Sequence, residues 1–158
     1  MIKNEDMVQL SKKKNIYKTL DNKHFIKIFN MEDKNKANNE YSVHTKAYSL
    51  VPCPKIIDYY TENNQIIFIM ELLDGCSLYE LYGDNPKNIP SKIWKEIHNI
   101  IFKLYYHDIH YHDITSYNFM LVKDKVYIID FGDAEENKVN WFLKDFNDGL
   151  CEWNPDFF

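Results

Sequence analysis

The segment 109–133, I-H-Y-H-D-I-T-S-Y-N-F-M-L-V-K-D-K-V-Y-I-I-D-F-G-D, limits the possible folds more than any other part of the chain. Two apolar runs, 119–122 and 126–129, flank the polar residues Lys123, Asp124 and Lys125. Short β-rich runs broken by a tight polar turn pair as an antiparallel hairpin. A hairpin brings its two ends together. One end here carries Asp113 and, five residues on, Asn118; the other carries Asp130-Phe131-Gly132. Taken singly, these residues suit ordinary turns, because Asp and Asn favour them. It is the joint spacing, with strand-like runs between, that points to a site.

The residue types suggest its chemistry. Phosphoryl transfer from a nucleotide needs one carboxylate to orient the attacking hydroxyl and further oxygen ligands to hold magnesium on the phosphates. Asp113, Asn118 and Asp130 supply that number of groups. Magnesium prefers oxygen and keeps several waters, so an amide and a carboxylate suffice beside the phosphates. His107, His110 and His112 cluster at the start of this region, but no distant Cys or His pair completes a tetrahedral zinc set.

At 158 residues, 45% hydrophobic and 16% aromatic, the chain holds enough apolar material for one core shared by two small lobes. A net charge of −5 argues against a general nucleic-acid-binding surface. No run approaches the apolar length of a membrane span and no signal pattern opens the chain, so a cytoplasmic or nuclear, intracellular protein without membrane attachment is expected. Cys53, Cys76 and Cys151 are odd in number and far apart, which fits a reducing compartment.

Along the chain, 7–10, 16–20 and 24–29 read as three short strands with tight turns. Lys27 interrupts the third. Either it faces solvent on an edge strand, or it is buried and needs a carboxylate to offset the cost. The helical stretch 33–50, with Ala37, Tyr41, Val43, Ala47 and Leu50 at noisy helical spacing, offers Glu40 as that carboxylate; Glu32 lies too near the end of the strand. Pro52 and Pro54 end the helix. A second hairpin follows at 56–60 and 66–73 around Glu62-Asn63-Asn64, then a short helix at 77–82. The clearest helix is 91–107, with Ile93, Trp94, Ile97, Ile101, Leu104 and Tyr105 on one stripe and Ser91 as its expected cap. One more amphipathic helix is expected around Trp141, Phe142, Leu143 and Phe146, and the aromatic stretch 151–158 is expected to pack on the body.

Lys27, Glu40, Met70-Glu71, the loop Asp113-Ile114-Thr115-Ser116-Tyr117-Asn118 and Asp130-Phe131-Gly132 stand in the order and spacing of protein kinases. Thr115 stands where ordinary Ser/Thr kinases carry a lysine. The loop instead resembles those of the RIO kinases and of the small kinase or ATPase of the KEOPS tRNA-modification complex, which also lack a long activation segment. The resemblance covers about residues 7–135. It implies an α+β, minimal two-lobed kinase-like fold over 1–158, with an N-terminal lobe to about 72, mostly β with one helix. From about 73 it implies a truncated C-terminal lobe.

It further implies an ATP- and magnesium-dependent phosphotransferase acting on a Ser/Thr hydroxyl, or an ATPase within a complex. Asp113 would be the catalytic base, Asn118 and Asp130 the magnesium ligands, and Lys27 with Glu40 the ATP anchor. Backbone groups of Glu71 and Leu73 would meet adenine, with Met70 guarding the pocket. A protein substrate or partner is implied besides ATP. The chain departs from the pattern at several points. No glycine lies in 11–15, where a phosphate-covering loop belongs. Tyr111 and His112 replace the usual His-Arg or His-Gly before Asp113, and Asn140 stands where related chains carry a structural Asp. A nucleotide- or protein-binding pseudokinase is the alternative that the missing glycines favour. A small-molecule kinase is a third, although the chain has little room for a substrate domain.

Overall fold

The computed structural model describes residues 6–11 and 15–136. The first half is a five-stranded antiparallel sheet and one helix. Strands β1 (Met7–Ser11), β2 (Ile16–Thr19), β3 (His24–Asn30), β4 (Ile56–Glu62) and β5 (Gln65–Glu71) stand in the order β1-β2-β3-β5-β4. Lys27 therefore lies on the central strand, opposite Phe68 of β5, and not on an edge. The β4–β5 turn is shorter than the sequence suggests: Glu62 and Gln65 pair, leaving Asn63 and Asn64 as a two-residue link, both at positive φ (49° and 62°). Asparagine tolerates that geometry, and its twist matches that of the strands.

Helix α1 (Lys34–Tyr48) follows a 3₁₀ turn at Met31–Asp33. Its buried stripe is Ala37, Glu40, Val43, His44 and Ala47, at spacings of three and four residues. Two of those five are polar, which is why the apolar spacing looks noisy. The polar face of α1 grips the segment after Gly132: Asn39 Nδ2 donates to the Ala134 carbonyl (2.9 Å), and Lys46 meets Glu136 at 3.4 Å.

The second half is built on α3 (Ser91–Tyr106), which buries Ile93, Ile97, Ile100, Ile101 and Leu104. Its cap is Pro90 and not Ser91; a proline nitrogen has no hydrogen to satisfy and its fixed φ suits the entry. Before it, α2 (Leu78–Tyr82) starts in a capping box, with Ser77 and Glu80 satisfying each other's backbone amides. Strands β8 (Phe119–Val122) and β9 (Lys125–Ile128) form the expected hairpin, extended by β6 (Cys76–Ser77). Lys125 belongs to β9, so the turn is Lys123-Asp124 alone, again at positive φ (48° and 64°). Two-residue strands β7 (Ile109–His110) and β10 (Glu135–Glu136) pair across the loop.

One core joins both halves. Val43, Ala47, Val51 and Cys53 from the first half pack in the same buried cluster as Leu78, Ile97, Leu104, Phe119, Ile128 and Phe131. The regions around Asn140, 141–146 and 151–158, together with Lys12, Lys13 and Lys14, lie outside the described residues. Among those described, no helix is long and apolar enough to cross a membrane.

Candidate active site

The register of the β8–β9 hairpin sets the site. Phe119 faces Ile128, so the next pair outward is Asn118 and Ile129, and the Ile129 amide donates to the Asn118 carbonyl at 3.0 Å. The residue after Ile129 is Asp130. The two-residue turn thus returns Asp130 to the end of the loop that carries Asp113 and Asn118. Within that loop, Asn118 Nδ2 donates to both the carbonyl (2.8 Å) and the carboxylate (2.6 Å) of Asp113. This fixes the amide nitrogen toward Asp113 and turns its oxygen the other way.

Asp130 in turn reaches the first half of the molecule. Its Oδ1 accepts from Lys27 Nζ and from the Gly132 amide, both at 2.9 Å. Lys27 Nζ also donates to Glu40 Oε1 at 2.5 Å. A Cβ on residue 132 would come within 3.2 Å of Asp130 Oδ1, a tight contact, and 3.5 Å of Glu40 Oε2, an ordinary one. Side-chain exposures of 11%, 3% and 34% for Lys27, Glu40 and Asp130 make this a largely buried ion triad. Burial pushes the Lys27 ammonium down, but Glu40 and Asp130 outweigh it, so its pKa stands above the ordinary lysine value. Burial pushes the Glu40 carboxyl up against the pull of Lys27, with Asp130 adding to the rise.

Beside the triad lies an open cavity of about 390 Å³, lined by Lys27, Glu40, Asp130, Gly132, Asp133 and Lys36 among others. Lys36, exposed one turn before Glu40 on α1, adds a second cation there. It was not singled out from the sequence, because an exposed lysine in a polar helix carries no signal of its own. Met70, Glu71, Leu73, Asp113 and Asn118 do not line this cavity. Met70 is fully buried, facing Phe25 and Ile56 on the neighbouring strands. The Glu71 amide donates to the Lys55 carbonyl (2.8 Å) and the Leu72 amide to the Lys23 carbonyl (2.9 Å). Leu73, half-buried, follows beyond the end of β5.

His44, one turn after Glu40, is a buried polar residue behind the site that sequence spacing did not reveal. It is buried, its Nε2 lies 2.8 Å from the Pro54 carbonyl, and its ring packs on Phe131 at 4.9 Å between centroids. Burial holds its pKa down to about 4. The Phe131 ring meets Tyr111 on its other contact, edge-on at 6.0 Å.

Among the described residues, no three His, Cys, Asp or Glu side chains converge to hold a metal unaided. The Asn118 amide oxygen and the Asp130 carboxylate, itself one arm of the ion triad, instead fit a hard cation that takes its remaining ligands from phosphates and water.

Comparison with known proteins bears on the family of the chain. The RIO domain family matches residues 5–145 of the chain. The KEOPS complex subunit Bud32 of Pyrococcus abyssi (strain GE5 / Orsay) is 36% identical over 85 residues, which is 54% of this chain. The matched stretch spans 38% of that relative's length.

Proposed function

The chain belongs to the RIO domain family, an atypical protein-kinase-like family, and from that membership we propose that it is an ATP- and magnesium-dependent phosphotransferase. Its acceptor is a Ser or Thr hydroxyl of a protein, or water where the chain serves as an ATPase within a complex. Its similarity to a subunit of the KEOPS complex supports a protein partner and an intracellular setting. We put the boundary between the two lobes near residue 72, just after β5 ends at Glu71.

The convergence of Lys27, Glu40 and Asp130 carries this reading, the first pair 13 and the second 103 residues apart in the chain. A buried ion pair is a poor device for stability, since desolvation offsets the attraction. Such groups cluster where charge must be handled. In the proposed reaction Lys27, steadied by Glu40, binds the α- and β-phosphates, and Lys36 lies along the same cavity. Asn118 and Asp130 would hold magnesium, which when bound neutralises charge on the phosphates. Asp113, its carboxylate fixed by Asn118, orients the acceptor hydroxyl and takes its proton. The acceptor oxygen bonds to the γ-phosphorus as the bond to the bridging oxygen breaks, and ADP leaves. With the Glu71 amide engaged by Lys55, adenine is left to the Glu71 carbonyl and the Leu73 backbone.

Thermal melts with ATP, with and without magnesium, test the site. At a ligand concentration about 100-fold above Kd, binding stabilises by roughly 2.7 kcal/mol. For a chain of this size that raises Tm by on the order of 5–10 °C. Asp130→Asn should lose the magnesium-dependent part, and Asp113→Ala should keep binding while losing turnover. No magnesium-dependent shift at millimolar ATP refutes the reading. It would favour the second one, a kinase-shaped binding module, which the absence of glycine between Ser11 and Asn15 supports.

A further inference from the structure

Tyr79 on α2 and Tyr117 in the loop that carries Asp113 stack face to face, with ring centroids 4.1 Å apart and planes 22° from parallel. The pair adjoins the site described above: Tyr117 directly precedes Asn118, whose amide holds the Asp113 carboxylate. Burial does not explain the stack. Tyr79 and Tyr117 stay 42% and 47% exposed, so each ring covers one face of the other and leaves surface open to solvent. Nor is the stack needed to join α2 to the loop. Leu78 is fully buried and anchors the helix, and Cys76 and Ser77 pair with Leu121 and Met120. Ser116 Oγ adds a further tie, donating to Asp84 Oδ1 at 3.3 Å.

Charge narrows what the open rings can receive. Segments 71–86 and 108–122, which these contacts bring together, carry six Asp or Glu residues and no Lys or Arg. Asp84 is exposed and touches Ser116, the immediate neighbour of Tyr117. An aromatic face near a carboxylate attracts a cation. Arginine suits it better than lysine, because one planar guanidinium stacks on a ring and donates to a carboxylate together. A nucleic-acid strand would instead bring its phosphates into an acidic corner.

We propose that Tyr79, Tyr117 and Asp84 form an acceptor-docking site that takes an arginine side chain of the protein substrate, close to its phosphorylated Ser or Thr. The inference rests on the phosphotransferase reading above. The three residues touch no reacting atom; they select the segment that lies against Asp113.

The test uses fluorescein-labelled peptides of Gly, Ala and one Ser, with a single Arg at successive positions on either side of the Ser. Matched peptides carry Gln in place of Arg. Kd by anisotropy, then KM and kcat for transfer from magnesium-ATP, are measured on the whole chain. Wild type should bind the best Arg peptide about tenfold tighter than its Gln counterpart, the combined effect of one exposed cation–π contact and one exposed ion pair. Tyr79→Leu and Asp84→Asn should each remove about threefold of that preference. Tyr79→Phe keeps the ring and should retain it, and the share owed to Asp84 should shrink as salt rises. In transfer the preference should appear in KM, with kcat unchanged. Equal Kd for Arg and Gln peptides in wild type overturns the proposal, as does a preference that survives in both Tyr79→Leu and Asp84→Asn. A single-stranded oligonucleotide that binds more tightly than every Arg peptide, and weakens in Tyr79→Leu, overturns it in favour of a base on the rings. The magnesium-ATP melting shift separates the two readings. Its absence in wild type refutes the nucleotide site and the acceptor role together; its presence without any arginine preference removes only the docking site.

Discussion

Lys27→Met and Glu40→Gln remove opposite halves of the same contact, and the charge count predicts unequal costs. One ammonium stands between two carboxylates, at 2.5 Å from Glu40 and 2.9 Å from Asp130. Glu40→Gln leaves Lys27 paired with Asp130 and replaces a charged hydrogen bond by a neutral one, a loss of about 1–2 kcal/mol. Lys27→Met leaves Glu40 buried beside Asp130 with no cation between them. Removing one partner of a buried pair in this way costs about 3–5 kcal/mol. Protonation offers the variant relief. Burial already raises the Glu40 carboxyl, and without Lys27 it rises further, above an unfolded value of about 4.3. A carboxyl whose folded pKa is raised contributes stability while protonated and loses it as pH rises from the unfolded through the folded pKa. Relative to wild type, Lys27→Met should therefore recover stability as pH falls from about 7 toward 5, while Glu40→Gln shows a much flatter difference. Urea unfolding of the three proteins across that range reads both effects. Equal costs at neutral pH, or a Lys27→Met deficit that does not shrink on acidification, would refute the charge count.

Two further outcomes follow from the packing. In Gly75→Ala the new Cβ would fall on the Leu121 carbonyl oxygen and on Val122, beside the pairing of Cys76 with Leu121, so β6 must move off the hairpin at a cost of about 1–3 kcal/mol. A melting temperature equal to wild type would show that the strand yields freely. His44 has its pKa lowered from 6.5 to about 4, so its neutral form contributes stability that is present above pH 6.5 and lost as pH falls through about 4, with a ceiling of roughly 3 kcal/mol. His44→Gln should flatten the acid limb of stability in that window, and an unchanged limb would mean that other groups set it.

The second half of the molecule was legible in the sequence because its signals are local. The hairpin at 119–128 and helix α3 each follow a single period, and both lie within two residues of where the pattern puts them. Helix α1 was harder to read for a physical reason. Its buried stripe includes Glu40 and His44, so the face turned inward is partly polar and the apolar period breaks there. The position of Lys27 was likewise open between edge and centre, since strand order depends on pairings forty residues away that no local pattern records. Once β3 is central the choice closes. A lysine there is nine-tenths buried and needs the carboxylate that α1 carries.

These interruptions of pattern share a cause. Glu40 on a core-facing helix stripe, Lys27 on a central strand and the Tyr111 hydroxyl between aromatic rings each break the rule that buried positions are apolar. A chain selected only for stability would replace all three, since apolar substitutes of similar volume are often neutral or stabilising. The replacements cannot be made one at a time: losing Lys27 strands Glu40, and losing Glu40 shifts Lys27 wholly onto Asp130. The triad is therefore retained or lost as a unit. Local rules that fail together, at residues scattered through the chain and adjacent in space, mark a functional site more firmly than any one of them.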